Sequence, residues 1–196
     1  MSAMHSVARM VALALLLVPA ACSSPNPNLY TIAPISAATQ TGAPSVITLR
    51  QIGLARHLER SQIVRSSENY RLDVMANDWW GEPLGAMLAR VLVEELGQRL
   101  PHSTVYGETG AVSVLPDATI ELNVSRLDQS ASGLLILQAQ AAITAKGHIT
   151  PITRGFRFEI APPETGVAGE VAAISVAVGQ LADGLATMLV TAQTAR

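Results

Sequence analysis

The chain of 196 residues has one cysteine, Cys22, and one lysine, Lys146. A single cysteine excludes any disulfide within the chain. Only 14% of the residues are charged, the formal net charge is -2, and the arginines are scattered rather than run together. The charge footprint of a nucleic-acid-binding surface is therefore missing. No apolar run of 18 or more residues recurs along the chain, which excludes a polytopic membrane protein. Lys146 follows Ala145, without the glycine that precedes a phosphate-loop lysine. There is no Gly-x-Ser-x-Gly nucleophile elbow. Beyond the N-terminal stretch the histidines are His57, His102 and His148, and none pairs with another at metal-ligand spacing. No catalytic residue, no metal ligand and no dissociable cofactor is expected. A Ser/His/Asp site assembled from distant residues leaves no local pattern, so a hydrolase site stays as the alternative.

What the chain has in quantity is small and apolar. Hydrophobic residues make up 49%, enough to exclude disorder along the whole length. Thirty of them are alanines, so the core is smaller than that fraction suggests. The length suits one domain with a tail.

The first residues read as an address. Arg9 supplies the charge of a short n-region, and Met10 to Val18 is an apolar run too short to span a bilayer. Pro19-Ala20-Ala21-Cys22 resembles a bacterial lipobox, with Pro19 where an aliphatic residue is usual. That resemblance implies cleavage before Cys22 and lipidation of that residue, with diacylglycerol on its thiol and a further palmitate-type acyl chain. Each buried CH₂ contributes about 0.8 kcal/mol, so a multiply acylated cysteine is a stable anchor. Ser23 and Ser24 follow the cysteine, and in lipoprotein sorting such residues permit transfer to the outer membrane. The expected organisation is a signal peptide over 1–21, a lipidated tether with a short docked strand over 22–45, and one α+β domain over 46–196.

Hydrophobic periodicity outlines that domain. Strands are expected at Leu29–Ile32, Val46–Ile52, Ile63–Arg65, Tyr70–Val74, Val105–Tyr106, Ala118–Leu127, Leu134–Lys146 and Arg154–Ile160. In Tyr70–Val74 the Tyr, Leu and Val fall on one face and Arg71 and Asp73 on the other. The last three strands alternate as a meander with one wet face. Pro83 to Leu100 reads as a helix closed by Pro101, with Glu94, Glu95 and Arg99 mainly off its apolar stripe. Gly166 to Thr194 reads as a second helix, whose Glu170, Gln180 and Asp183 argue against a membrane span. The simplest architecture is α+β: a single, mostly antiparallel sheet with two helices packed on one face.

Two segments stand out as candidate interface. Trp79-Trp80-Gly81-Glu82-Pro83 places two tryptophans on opposite faces of an extended chain, one free to anchor a partner. Arg56, Arg60, Gln62 and Arg65 surround apolar Leu58, Ile63 and Val64. With Trp79, Trp80 and Glu82, those four form the expected docking rim. Core packing and a solvated loop are the plain structural alternatives for the two segments.

With the lipobox, these segments resemble the PqiC-like auxiliary lipoproteins of ABC-type, MCE-linked transport systems. The matching elements are Leu29-Tyr30-Thr31-Ile32, Leu58-Glu59-Arg60-Ser61-Gln62-Ile63-Val64-Arg65, and Trp80-Gly81-Glu82-Pro83-Leu84, with Arg90-Val91-Leu92 beyond. Ala55 stands where the family often has Pro, Gly81 where it has Ala, and Arg65 follows Val64 without the usual spacer. The resemblance implies a non-enzymatic lipoprotein on the periplasmic face of the outer membrane. Its partner would be an MCE-domain protein that forms the conduit for lipids or hydrophobic compounds, and it could form a homo-oligomeric collar. The alternative is a stand-alone periplasmic lipoprotein with a small hydrophobic ligand or a hydrolase site.

Overall fold

The computed structural model describes residues 26–66, 70–110 and 114–194. The signal segment, the lipobox and Cys22 lie outside the described residues. The strands are β1 (Asn28–Tyr30), β2 (Val46–Leu49), β3 (Gly53–Leu54), β4 (Gln62–Ser66), β5 (Leu72–Trp80), β6 (Thr104–Gly107), β7 (Ala118–Gln129), β8 (Leu135–Ala145) and β9 (Ile152–Ile160). The helices are α1 (Leu84–Arg99) and α2 (Val167–Thr194), and a 3₁₀ turn covers Arg56–Leu58.

The strands form two sheets, not the single sheet expected from sequence. One has the order β1-β5-β4; the other runs β6-β2-β7-β8-β9, with β3 also on β7. The edge of β7 explains the split. Ile47–Leu49 of β2 pairs in parallel with Ala118–Ile120, and Gly53–Leu54 of β3 with Asn123–Val124. That edge is thus occupied through Val124, and β4 pairs with β5 instead. Parallel pairs also join β1 to β5 and β2 to β6, so antiparallel pairing is confined to β4–β5 and the β7–β8–β9 meander.

On β7, Ala118, Ile120, Leu122 and Val124 are buried while Glu121, Asn123 and Ser125 are exposed, the half-wet pattern that alternation predicts. The buried face meets α1 and α2. Helix α2 is long and apolar enough to cross a membrane, yet most of that stretch is buried inside this fold. Its close approach to β9 depends on Gly184, where a Cβ would overlap the Phe156 ring. Pro83 precedes α1 and supplies its carbonyl to the Met87 amide.

The segment after β1 runs along the helices. Ile32 is buried, with its amide donating to Met87 Sδ, and the Ala33 amide donates to Ser175 Oγ. The Ile35 amide donates to Glu95, and the Gln40 amide to the Arg99 carbonyl. Docking of the 22–45 stretch therefore extends well past the short strand in its described part.

Candidate functional site

Three of the expected interface residues meet in one groove of about 550 Å³ at the N-terminal end of α1. Trp80, Leu84, Ile52 and Leu54 give it apolar walls, and Arg60 and Glu82 stand on its rim. The Trp80 amide donates to the Ser61 carbonyl at 2.7 Å, and the Gly81 amide to the Tyr30 carbonyl at 2.9 Å. These bonds tie the Arg60 and Trp80 segments into one wall. Trp80 itself is buried in the core, as the plain packing alternative has it. Glu82 accepts from Arg90 at 2.6 and 3.0 Å, and Arg90 also reaches Thr31 Oγ1. Arg90 therefore links the turn before α1 to the residue after β1, and Glu82 is paired with it. Arg60 is exposed and has no ion-pair partner among the described residues. Gly85 opens the groove floor: a Cβ there would make ordinary contact with Leu54 Cδ1 at 3.5 Å.

The other four lie elsewhere. Gln62 stands opposite Trp79 in the β4–β5 ladder, and the Trp79 indole N–H donates to the Ala76 carbonyl. Arg56 opens the 3₁₀ turn and is exposed. Arg65 turns inward, where its Nε donates to Glu170 Oε2 at 2.6 Å. A larger depression of about 800 Å³ lies on the wet face of the six-stranded sheet. There Arg50 is held by Glu121 at 2.7 Å and Glu108 at 3.4 Å, and Arg154 lies over the Phe156 ring, 5.0 Å from its centroid. His57, His102 and His148 sit in three separate turns, and no cluster of three metal-ligating side chains occurs among the described residues.

Sequence reasoning missed a buried charged staple. Glu95 and Arg99 are both buried, not off the apolar stripe as expected. Arg99 Nε donates to Asp183 at 2.6 Å, Nη1 to the Ile35 and Glu95 carbonyls, and Nη2 to the Gly179 carbonyl at 3.0 Å. One side chain thus joins α1, α2 and the N-terminal segment. The signal was present: positions 84, 88, 91, 95 and 99 fall on one helical face.

Burial raises the Glu95 carboxyl above its ordinary pKa, against the lowering effects of the Ile35 amide and Arg99. Burial likewise raises Glu170, against its bonds from Arg65 and the Gln129 amide. A folded-state pKa above the unfolded one favours folding when the group is protonated. That contribution is fully present below the unfolded glutamate value of about 4.3 and is lost as pH rises through the folded value. Glu95→Gln removes one such titration and keeps an oxygen for the Ile35 amide. Urea midpoints from pH 4 to pH 8, on the order of the carboxylate window, are expected to fall less steeply in this variant than in the parent. Parallel pH profiles would refute the assignment to Glu95.

The fold and this geometry can now be compared with known proteins. The sequence matches the family of ABC-type transport auxiliary lipoprotein components over residues 30–186. The chain belongs to that family. The matched span contains both walls of the groove and the Arg99 staple. A crystal structure of an uncharacterized protein superposes with a TM-score of 0.71 at 17% identity, covering 83% of this chain and 97% of that one. The crystal structure of protein XCC0632 from Xanthomonas campestris, of family DUF330, superposes at 0.72 with 16% identity, covering 86% and 98%. These two likenesses are likenesses of fold. No protein of curated function matches the chain in sequence. As an auxiliary lipoprotein component, the chain serves a transporter from a membrane anchor.

Proposed function

We propose that this auxiliary lipoprotein is non-catalytic, is held at the periplasmic face of the outer membrane by acyl chains on Cys22, and docks the MCE-domain conduit of an ABC system that moves lipids or hydrophobic compounds. The observation that carries the docking reading is the groove. Arg60 and Trp80–Glu82 come from separate segments, and the fold sets an unpaired cation over an apolar cleft between them. Arginine and tryptophan are the residue types enriched at interface hot spots. Membrane confinement raises the effective concentration for a partner at the same surface. Several copies around a ring-shaped conduit would form a collar.

The test is capture of the MCE-domain protein from native membranes in mild detergent by C-terminally tagged chain. Arg60→Glu reverses the rim charge, and Gly85→Leu fills the cleft from a position where a Cβ makes ordinary contact with Leu54. Each is expected to reduce capture roughly tenfold, the effect of about 1.4 kcal/mol, with the thermal midpoint preserved. Undiminished capture by both folded variants would remove the groove from the interface. Repeated absence of any MCE-domain protein from the parent's capture would favour the stand-alone reading, since the groove's volume also suits a small hydrophobic ligand.

A further inference from the structure

The three-stranded sheet turns an apolar face outward. Leu29 stands opposite Trp79, Val64 opposite Val74, and Ser66 opposite Leu72. Direct cross-strand partners share a face; a register shift between Gln62 and Val64 lets Trp79 join the face of Val74, five residues earlier, while Met75 and Trp80 both pack on the core. Ile63 and Arg65 take the other side, Ile63 in the core and Arg65 on Glu170. On the outward side Leu29 is 66% exposed, Leu72 46% and Val74 40%, with Val64 buried beneath them. Tyr70, just before β5, is fully exposed. Three of the nine large apolar side chains exposed among the described residues stand on this small sheet, and Tyr70 adjoins it. Trp79 lies among them with its indole N–H already satisfied, which leaves hydrocarbon to offer.

We infer that this face rests on the lipid bilayer, with Leu29, Trp79, Val74 and Leu72 at the boundary between headgroups and acyl chains. The inference rests on the acylation of Cys22 proposed above. Leu29 follows Cys22 so closely that, at about 3.3–3.6 Å per residue, the anchor holds the face within about 25 Å of the membrane. A tether that short keeps the bilayer at high effective concentration. The dimensions disfavour a protein partner. Three strands about 4.8 Å apart and a run of about 20 Å along β5 give a strip of about 200 Å². A stable protein interface needs about 800 Å² per partner. A few aliphatic side chains and a tryptophan suffice for an interfacial seat beside a covalent anchor. Trp79 and Trp80 point to opposite faces, so a domain seated on Trp79 keeps the Trp80 groove off the lipid.

Cys22 is the only cysteine, and acylation blocks it. Leu29→Cys, Leu72→Cys and Thr144→Cys each then carry the only free thiol, Thr144 being an exposed residue of β8 on the six-stranded sheet. The full-length lipidated variants are labelled with an environment-sensitive fluorophore. They are reconstituted in phosphatidylethanolamine–phosphatidylglycerol vesicles containing lipids brominated near the headgroup. Labels at 29 and 72, at the roughly 5–10 Å depth of interfacial segments, are expected to lose about half their emission, and the label at 144 little. Equal, weak quenching at all three positions in chains that float with the vesicles overturns the seat and leaves the anchor and groove readings intact. Shielding of 29 and 72 that grows with protein density, with cross-links between copies, assigns the face to a second copy and overturns the inference. A Cys22 thiol that still labels overturns the anchor and the seat together. Capture of the MCE-domain protein is read separately in the groove variants.

Discussion

Replacing Arg99 by methionine is expected to lower the unfolding free energy by about 3–5 kcal/mol, the usual consequence of removing one partner from a buried ion pair. Arg99 is 1% exposed and Glu95 is fully buried. The arginine donates to Asp183 and to three backbone carbonyls, on Ile35, Glu95 and Gly179. Methionine matches the stem but removes the donor that ties Asp183, Ile35, Glu95 and Gly179 together, and it leaves Glu95 without the cation 3.9 Å away. Glu95 Oε2 already has no hydrogen-bond partner among the described residues, so its desolvation is compensated by little else. Urea denaturation gives the loss directly. Arg99→Met combined with Glu95→Leu should recover part of it, because an apolar pair in place of a buried ion pair is often tolerated. A single-variant loss below about 1 kcal/mol, the scale of a surface pair, would show that the staple contributes little.

Arg65 and Arg60 are expected to separate stability from docking. Arg65 lies on a fully buried carboxylate: Glu170 accepts its Nε at 2.6 Å and the Gln129 amide at 3.3 Å. Arg65→Met therefore strands a charge under α2 and is expected to cost about 3 kcal/mol, the lower end for a broken buried pair since Arg65 keeps some exposure. Below its new melting temperature the variant should still capture the MCE-domain protein as the parent does. Arg60→Glu should behave in the opposite way, with stability within about 0.5 kcal/mol of the parent and capture sharply reduced. Full capture by Arg60→Glu beside weak capture by well-folded Arg65→Met would place the contact near Arg65 instead.

The helix boundaries followed from local chemistry, whereas β5 runs on to Trp80, well beyond the expected Tyr70–Val74, and β2 stops at Leu49 short of the expected Ile52. Pro83 and Pro101 bracket α1, and Pro162 and Pro163 separate β9 from α2; a proline is tolerated at a helix start but not in a helix interior or a central strand. The alternation of Ile120, Leu122 and Val124 with Glu121, Asn123 and Ser125 marked β7 and its wet face. Sheet membership was not legible, because alternation says which way a side chain points and not which edge a strand joins. β3 is two residues long and shows no period at all, yet with β2 it occupies the edge of β7 and sends β4 to β5. The same limit governs the apolar residues of β5: Leu72 and Val74 share a face as their spacing requires, and only the pairing shows that the face is outward.

For the groove, the sequence by itself determined the residue types and the two segments that hold them, Arg60 with Gln62 and Trp80 with Glu82. The tertiary structure decided which of them meet. It turned Arg65 to Glu170, committed Glu82 to Arg90 and left Arg60 open beside Trp80. Period and composition are properties of neighbours along the chain, and they suffice for helices and strand faces. The partner of a charge is set by contacts between residues far apart in sequence, such as Arg99 with Asp183 and Ile35. Those contacts form only when both sheets and both helices have closed on one core.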